Sequence, residues 1–430
     1  MSNLPNGWIE IQLFEVGKII TGKTPSKNNP EDWGNKYDFI TPTDIKDDSK
    51  FIDKTSRFIS EKGKNRFQNM MIDKYSIIVT CIGSDMGKVV INKNIALTNQ
   101  QINSIIIYAS FDKDFIYYKL KSEYKLLKRL AGSGSTMPLL NKSDFSNIKI
   151  TVPKSLSEQK DIANILSSFD KKIELLKEQN QTLETMAQTI FKEWFIDFNY
   201  PNATGEMIDS EMGEIPKGWR VGIFDEIIEF INGYAFKSDE LEKVEDIDSY
   251  AIFKMGHIKK GGGFNPTKTK DYISKNQCTK LEKYILKSGD ILMCMTDMKD
   301  STSLLGHTAL MFEDEKYIVN QRVGLIRPNN NVDINYPWLY ILTNSHGFIS
   351  DLRNRANSGV QINLSTSEIK NTKIIIPDKE TNKLFNLLTL PIFEKMKNIY
   401  FQIQTLEETR DSLLPKLMSG KTRIQGFKVD

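Results

Sequence analysis

The chain has 430 residues, of which 39% are hydrophobic and 26% are charged, and its formal net charge is +3. This composition is typical of a globular protein with about two to four domains and excludes a largely disordered chain or a small disulfide scaffold. An apolar stretch of about 20 residues and a secretory signal are both missing, so we expect no membrane contact. The isolated cysteines Cys81, Cys278 and Cys294 favour reduced thiols and a cytoplasmic location.

The charge is distributed unevenly along the chain. Residues 1–154 contain 23 basic and 16 acidic side chains, whereas residues 155–214 contain 5 basic and 12 acidic ones. An excess of positive charge is expected of a polyanion-binding block, but ordinary solvated surface also produces it. Charge alone therefore leaves nucleic-acid binding open.

A long internal repeat determines the predicted architecture. Segments of the first half return 211 to 225 residues later, a period that is too long for a solenoid. The matched pairs include Pro5-x-Gly7-Trp8 with Pro216-x-Gly218-Trp219, Asn99-Gln100 with Asn320-Gln321, and Ile150-x-x-Pro153 with Ile374-x-x-Pro377. We therefore expect one unit of roughly 215 residues, with a globular front part and a helical back part, to occur twice.

The helical part of each unit has an apolar period of seven residues. From Ser157, near the expected helix start, to Trp194 there is neither proline nor glycine, and such a segment makes a helix about 57 Å long. Its narrow apolar stripe needs a partner, and two such helices separated by a globular domain are expected to pair antiparallel. The predicted seam comprises Ile162, Phe169, Leu176, Asn180, Leu183 and Ile190 in the first helix and Ile392, Ile399, Ile403, Leu406 and Leu413 in the second.

Three residues of these helices carry further expectations. Asn180 lies at an a position of the heptad, where a polar side chain fixes the register at some cost in stability. Arg410 lies at another a position and needs an exposed or acidic environment. Pro391 interrupts the second helix, so we expect a kink or a helix start there.

Motifs for catalysis and metal binding are missing from the sequence. His257, His307 and His346 are far apart, and no C-x-x-C, H-E-x-x-H or P-loop motif occurs, so we predict no metal, no cofactor and no catalytic centre. Residues 41–46 and 377–380 resemble fragments of nuclease carboxylate motifs. Turn and helix-start roles explain both segments more simply.

Several segments together resemble the DNA-specificity subunit of type I restriction–modification enzymes. Their order, their duplication and the two heptad helices are more specific than any single segment, and the resemblance extends over residues 4–425. One departure is the pair Glu158-Gln159, which has no clear counterpart near residues 379–383. The segments are residues 4–8 (LPNGW), 21–25 (TGKTP), 39–45 (FITPTDI), 99–100 (NQ), 131–136 (AGSGST), 150–153 (ITVP) and 157–162 (SEQKDI), and then 231–236 (INGYAF), 289–292 (GDIL), 319–324 (VNQRVG) and 358–361 (SGVQ).

The resemblance implies a non-catalytic subunit in which each of two target-recognition domains reads one half of a bipartite sequence in double-stranded DNA. It also implies that the helices set the half-site spacing and dock two methyltransferase subunits, which restriction motor-nuclease subunits join. We therefore predict an α+β fold with two similar mixed α/β domains, separated by two long antiparallel helices that form an intramolecular coiled coil. The predicted boundaries are domains at 1–154 and 215–377, helical spacers at 155–198 and 378–418, a linker at 199–214 and a tail at 419–430.

Candidate DNA contacts are the cationic, hydroxyl and amide side chains of loops in each domain, since cations bind phosphates and amides or hydroxyls read bases. For the recurring pairs Asn99-Gln100 and Asn320-Gln321 we favour a structural role, because two domains that read different sequences share them. The candidates are Thr21, Lys23, Thr24, Thr43, Lys46, Ser84, Lys88, Ser135 and Thr136 in the first domain and Tyr234, Lys237, Lys259, Lys260, Lys299, Arg322 and Gln361 in the second.

Two other classes of function stay open at this stage. A stand-alone nuclease or methyltransferase would modify DNA with only Mg²⁺ or S-adenosylmethionine added. A coiled-coil scaffold with adhesive domains would have no role on DNA, and its affinity for DNA would not depend on Lys23 or Lys237.

Overall fold

The computed structural model describes residues 4–45, 49–52, 54–83, 86–124, 126–127, 140–298, 303–329, 332–358 and 361–423. The chain divides into a first unit, Met1–Leu176 with Ile403–Asp430, and a second unit, Lys177–Gln402. Each unit contains a globular region and part of each of two long helices. These are the first long helix, Leu156–Phe195, and the second long helix, Lys379–Met418.

The first unit is built from two main sheets and short helices. Its strands are β1 (Trp8–Gln12), β2 (Gly17–Thr21), β3 (Trp33–Gly34), β4 (Tyr37–Ile40), β5 (Arg57–Ile59), β6 (Met71–Ile72), β7 (Ile77–Thr80), β8 (Val89–Ile91), β9 (Ala96–Thr98), β10 (Ile102–Ile107) and β11 (Lys149–Pro153). Its shorter α-helices are Leu13–Val16, Glu61–Arg66, Lys113–Ser122 and Lys142–Ser146, and its 3-10 turns are Pro30–Asp32, Pro42–Asp44 and Gln68–Met70.

The second unit has a similar set of elements. Its strands are β12 (Met207–Ser210), β13 (Gly213–Pro216), β14 (Arg220–Ile223), β15 (Ile228–Asn232), β16 (Ser249–Phe253), β17 (Tyr272–Ser274), β18 (Ile291–Cys294), β19 (Thr296–Met298), β20 (Thr308–Leu310), β21 (Tyr317–Val319), β22 (Val323–Pro328), β23 (Asn357–Ser358), β24 (Gln361–Asn363) and β25 (Lys373–Ile376). Its shorter α-helices are Tyr336–Thr343, His346–Arg355 and Thr366–Lys370, and its 3-10 turns are Phe224–Glu226, Ser238–Glu240, Met255–His257, Pro266–Lys268, Lys275–Cys278 and Glu282–Tyr284.

The two units share a four-stranded sheet, a two-stranded pair and a parallel strand pair, although the five-stranded sheet of the first unit corresponds to a three-stranded sheet in the second. The antiparallel order β2-β10-β7-β8 in the first unit matches β15-β22-β18-β20 in the second. The pair β1·β11 matches β14·β25, and the parallel pair β4·β9 matches the parallel pair β16·β21. The internal repeat in the sequence is therefore a duplicated fold.

The long helices pack antiparallel in both units. In the first unit, Ile162 and Leu166 near the start of the first long helix share a core with Leu417 and Met418 at the end of the second. In the second unit, the end of the first long helix meets the start of the second in another core. This core contains Ala187, Phe191, Trp194 and Phe195 together with Phe385, Phe393 and Met396. The predicted α+β fold with an intramolecular antiparallel helix pair is thus confirmed.

Burial varies among the predicted seam residues. The buried members are Ile162, Leu176 and Ile399, and the half-buried ones are Phe169, Asn180, Leu183, Ile190, Ile392, Ile403, Leu406 and Leu413. The Asn180 amide Nδ2 donates to the Met396 carbonyl at 3.5 Å. The Asn180 Oδ1 atom is buried and has no hydrogen-bond partner among the described residues, which agrees with a polar seam position that costs stability.

Both long helices begin one residue after the starts of the predicted spacers at 155–198 and 378–418. The first begins at Leu156, and the Ser155 hydroxyl accepts from the Glu158 N–H at 3.3 Å. The second begins at Lys379 and continues through Pro391, so of the two expectations for Pro391 a helix start is wrong, and a kink stays a prediction. A proline inside a helix leaves the carbonyl four residues earlier without its partner. Here that carbonyl belongs to Leu387, whose residue is 64% exposed.

Asp378, at the start of the second long helix, has the structural role that Glu158 has at the start of the first, although the two sequences do not match there. The Trp8 indole Nε1 donates to Glu158 Oε1 at 3.1 Å, and the equivalent Trp219 indole donates to Asp378 Oδ2 at 2.8 Å. Asp378 also accepts from the Thr381 N–H at 2.9 Å and so caps the second long helix. The helix-start interpretation of this carboxylate is confirmed.

The segments predicted as linker and tail contain ordered structure. Strands β12 and β13 form a hairpin in the linker, with Met207 opposite Pro216. Gly420, in the predicted tail, is buried against Pro5 and Trp8, while residues 424–430 lie outside the described residues. In the part of the chain that the structure covers, no helix combines the length and the apolar character needed to cross a bilayer.

Candidate nucleic-acid interface

A glycine loop follows strand β2 in the first unit. A Cβ atom on Gly22 would lie 2.1 Å from the Thr98 carbonyl oxygen, so the loop passes too close to the end of β9 for any other residue. The preceding Thr21 hydroxyl donates to Asn103 Oδ1 at 2.6 Å, and the Thr24 hydroxyl donates to Gln100 Oε1 at 2.7 Å. These contacts fix the backbone of the loop and leave Lys23 exposed between them.

The second unit repeats this loop after strand β15. A Cβ atom on Gly233 would lie 2.0 Å from the Asn320 carbonyl oxygen. The next residue, Tyr234, is 37% exposed and packs its ring 4.9 Å from Phe236 and 5.4 Å from Tyr284. The same close approach therefore presents an aromatic side chain where the first unit presents a lysine.

Further predicted residues of the first unit lie at the same end of its sheets. Thr43 is exposed in the 3-10 turn after β4, beside the turn at Asn99, whose N–H donates to the Ile40 carbonyl at 3.0 Å. Lys88 is half-buried, and its N–H donates to the Thr80 hydroxyl at 3.0 Å. The structure therefore brings Thr21, Lys23, Thr24, Thr43 and Lys88 to one end of the unit.

The predicted cations of the second unit also gather at the loop end of its sheets. Lys259 and Lys260 are exposed beside Gly261, Gly262 and Gly263, which have φ values of +86°, +98° and +97°. Such values make a tight loop, as the sequence predicts, because left-handed backbone favours glycine.

Arg322 is exposed and has a left-handed backbone with φ of +73°, a conformation that is uncommon outside glycine and is often found at functional sites. Lys237 is exposed, and its N–H donates to Glu240 Oε2 at 3.0 Å. Gln361 is the first residue of strand β24. The remaining candidates Lys46, Ser84, Ser135, Thr136 and Lys299 lie outside the described residues.

The recurring Asn-Gln pairs lie at turns between strands. Asn99 is 8% exposed, and its Oδ1 accepts from the Gln101 N–H at 3.0 Å, which supports the structural role that the sequence favours. Asn320 holds its turn through its N–H, which donates to the Phe253 carbonyl at 3.0 Å.

The histidines are not arranged as metal ligands. His257 is buried, its Nε2 lies 3.0 Å from the Thr269 hydroxyl, and burial lowers its pKa. The pKa of His307 is also lowered, chiefly by burial and then by the nearby Arg353. Within the described ranges there is no cluster of three or more histidine, cysteine or acidic side chains that could hold a metal ion.

One side of a groove in the first unit consists of residues that are not among the predicted DNA contacts. This groove has a volume of about 440 Å³ and lies between the glycine loop at Lys23 and Thr24 and a segment that contains Arg66 and Asn69. The local signal in the sequence is the run from Asn65 to Asn69, in which every residue except Phe67 is an amide or a cation. The two sides are more than 40 residues apart in the chain, so this signal alone does not indicate that they meet.

The duplicated fold with a glycine loop in each unit is the arrangement expected of a protein that recognises DNA through two similar domains. A comparison with protein families identifies the family. The family described as the Type I restriction modification DNA specificity domain matches residues 5–185 and 216–409. The chain therefore belongs to the type I restriction–modification DNA-specificity family and is a DNA-recognition subunit of that class.

Individual relatives agree with this assignment along the whole chain. The chain is 30% identical to the Type I restriction enzyme MjaIX specificity subunit of Methanocaldococcus jannaschii, over 99% of this chain and 96% of the relative. It is 25% identical to the MjaVIII specificity subunit of the same organism, over 99% and 95% of the two chains. The crystal structure of a type I restriction–modification S subunit from M. genitalium has the same fold, with a TM-score of 0.55, 17% identity and coverage of 99% and 98%.

Proposed function

We propose that this chain is the non-catalytic specificity subunit of a type I restriction–modification enzyme, in which each globular region reads one half of a bipartite DNA target. The observation that carries the proposal is the duplication of the glycine loop. The same close backbone contact, at Gly22 and at Gly233, presents Lys23 in one unit and Tyr234 in the other. One scaffold that carries two different sets of side chains suits the reading of two different half-sites.

The proposed contacts divide into two chemical groups. The first group consists of cations that bind phosphates and supply affinity that falls as the salt concentration rises. It comprises Lys23, Lys46, Lys88, Lys237, Lys259, Lys260, Lys299 and Arg322. The second group contacts base edges through hydroxyl, phenol and amide side chains. It comprises Thr21, Thr24, Thr43, Ser84, Ser135, Thr136, Tyr234 and Gln361.

The long helices have a second role in this proposal. Each has 40 residues and is therefore about 60 Å long, which exceeds the roughly 34 Å of one duplex turn. Helices of this length suit a spacer that sets the distance between half-sites. They also carry exposed apolar side chains, at Met186 (49% exposed), Leu387 (64%) and Leu388 (48%), and exposed apolar surface of this kind favours docking of a protein partner.

The proposed partners at the helices are two methyltransferase subunits, and restriction motor-nuclease subunits join that assembly. A double variant with serine at Leu387 and Leu388 is expected to recover less of the methyltransferase subunits on co-purification than the unmodified chain. Its fold should stay intact, because both side chains face solvent. Lys383→Ser, an exposed residue of the same helix, is the matched control. Equal recovery of the methyltransferase with all three proteins would refute docking at these leucines.

The experiment that tests the whole proposal is genome-wide mapping of methylated adenines in cells that carry this chain with its methyltransferase. The expected result is one motif made of two half-sites separated by a spacer of fixed length. A contiguous motif, or methylation without sequence preference, would contradict it. Modification or cleavage of DNA by the purified chain with only S-adenosylmethionine or Mg²⁺ would instead support a stand-alone enzyme.

A further inference from the structure

The groove of the first unit has a polar rim and an apolar wall. Lys23 and Thr24 line one side, and Arg66, Phe67, Asn69 and Met70 line the other. Because Lys23 and Thr24 belong to the glycine loop, the groove opens at the end of the unit that carries the proposed DNA contacts.

Two ion pairs hold Arg66 on the second side of the groove. Arg66 Nη2 lies 3.1 Å from Glu31 Oε1, and its Nη1 lies 3.2 Å from Asp32 Oδ2. Asp32 is completely buried, so this carboxylate anchors the guanidinium and offsets its charge. We therefore assign Arg66 a positioning role, while Lys23 makes no ion pair within the described part of the chain.

Asn69 projects from a short, well-fixed turn. The N–H groups of Met70 and Met71 both donate to the Phe67 carbonyl, at 2.8 and 3.1 Å. Asn69 is exposed, and its amide has no hydrogen bond to any described residue. An asparagine amide offers a donor and an acceptor at the spacing that the major-groove edge of adenine requires. The neighbouring Phe67 and Met70 offer apolar surface of the kind that contacts a thymine methyl group.

The second unit differs at the equivalent place. Strand pairing aligns Met71, opposite Leu97, with Ile285, opposite Ile318, so Asn69 corresponds to Lys283. The next residue, Tyr284, packs against Tyr234 of the second glycine loop. An aromatic contact therefore joins the two sides in the second unit, whereas the first unit has an open groove with an amide.

We infer that this groove of the first unit reads an A·T base pair through the major groove, with Asn69 contacting the adenine edge and Lys23 contacting the adjacent phosphate. The inference rests on the proposed function and adds a base class and a residue to it. It also predicts an asymmetry, since the second unit has a lysine at the position of the reading amide.

The test measures binding of the complex, this chain with its methyltransferase subunits, to duplexes that carry the mapped target. Each base pair of each half-site is changed in turn. Asn69→Ala is expected to weaken binding to the intact target about 5- to 150-fold, the equivalent of one bidentate base contact. It should also abolish discrimination at one A·T position of one half-site and leave the other half-site unchanged. Asn65→Ala, an exposed amide of the preceding helix, is the matched control and should behave as the unmodified chain.

Lys23→Ala provides a second, independent measurement. It should weaken binding to all sequences alike and reduce the slope of log affinity against log salt by about 1. If the unmodified complex discriminates bases while Asn69→Ala keeps every preference, the inference is wrong and the proposed function stands. If the unmodified complex discriminates no base pair, the proposed function itself fails. Thermal unfolding of each variant, unchanged from that of the parent chain, excludes misfolding as the cause of a loss.

Discussion

Arg410 of the second long helix donates from Nη1 to Asp170 Oδ1 of the first long helix at 2.8 Å, and each of these side chains is only 15% exposed. Asp170 also accepts from the Tyr118 hydroxyl of the globular region at 2.5 Å. The Asp170 carboxylate thus joins both long helices to the globular region of the first unit. The expectation that Arg410 needs an acidic environment is confirmed.

Removing one partner of this pair is expected to destabilise the first unit. Arg410→Ala leaves Asp170 largely desolvated without its cation, which should lower the free energy of unfolding by about 2 to 3 kcal/mol, between the values for exposed and buried pairs. Urea unfolding measures the change. The double variant Asp170→Ala with Arg410→Ala should lose less than the sum of the single variants. Lys172→Ala, which removes an exposed cation of the first long helix, is the control. If the loss in the double variant equals the sum of the two single losses, the pair contributes nothing to stability.

The close packing of the second glycine loop predicts a local effect on recognition. A Cβ atom on Gly233 would overlap the Asn320 backbone, whereas one on Gly256 would have no atom within 4 Å. Gly233→Ala must therefore displace the loop that carries Tyr234, and we expect it to weaken binding of the complex to its target at least about tenfold, or 1.4 kcal/mol. Gly256→Ala, in the same unit, should bind normally. The prediction fails if both variants bind alike in a fluorescence-anisotropy titration.

Asp378 predicts a pH-dependent contribution to stability. Burial by itself would raise the pKa of this carboxyl, but hydrogen bonds from the N–H and hydroxyl of Thr381 and from the Trp219 indole outweigh burial and lower it. A carboxyl whose folded pKa is lowered stabilises the fold above its unfolded pKa of about 3.9, and the contribution disappears as the pH falls through the folded pKa.

The corresponding experiment compares melting temperatures of Asp378→Asn and the unmodified chain from pH 7 down to pH 3. The variant should melt at a lower temperature at pH 7, and the difference should shrink as the pH falls below about 4. Asp209→Asn, which changes an exposed carboxylate of the β12–β13 hairpin, is the control. A difference that stays constant over the whole pH range would mean that ionisation of Asp378 does not stabilise the fold.

The parts of the structure that the sequence predicts depend on local periodicity. The heptad pattern identifies both long helices because a seam repeats every seven residues within one segment, and the duplication then favours their antiparallel pairing. The glycine loops are visible as well, since the repeat aligns Gly22 with Gly233. Pro391 is misleading because its effect depends on whether the carbonyl of Leu387 meets solvent, and only the packing of the helix determines that.

The residues on the second side of the groove reach it through long-range pairing, and the sequence therefore does not indicate them. Asn69 and Lys23 line the same groove because β6 pairs with β9 and the end of β9 lies close to Gly22. No local pattern encodes that arrangement. The predicted linker has a different reason, because its hairpin is local. Its polar composition is typical of an irregular segment and does not indicate the hairpin or the contact between Tyr200 and Trp219, whose rings are 5.0 Å apart.

Gly420 allows the contribution of tertiary contact to be separated from that of backbone conformation. It has φ of +66°, and a Cβ atom there would lie 2.7 Å from Pro5 Cγ and 3.0 Å from Trp8 Cε2. Gly205 has a similar φ of +74° but no atom within 4 Å of its Cβ position. Alanine should cost about 1 to 2 kcal/mol at Gly205, from the left-handed backbone alone.

At Gly420 the same change adds a clash with the core around Trp8, so the loss should exceed that at Gly205 by about 1 to 3 kcal/mol, which is the usual range for overpacking. Unfolding in urea, followed by circular dichroism, gives both values. Equal losses would mean that the residues after the second long helix do not pack on the start of the chain. A larger loss at Gly420 would locate part of the stability of the first unit in this contact, because Gly205, in the second unit, carries a similar backbone penalty without neighbouring atoms.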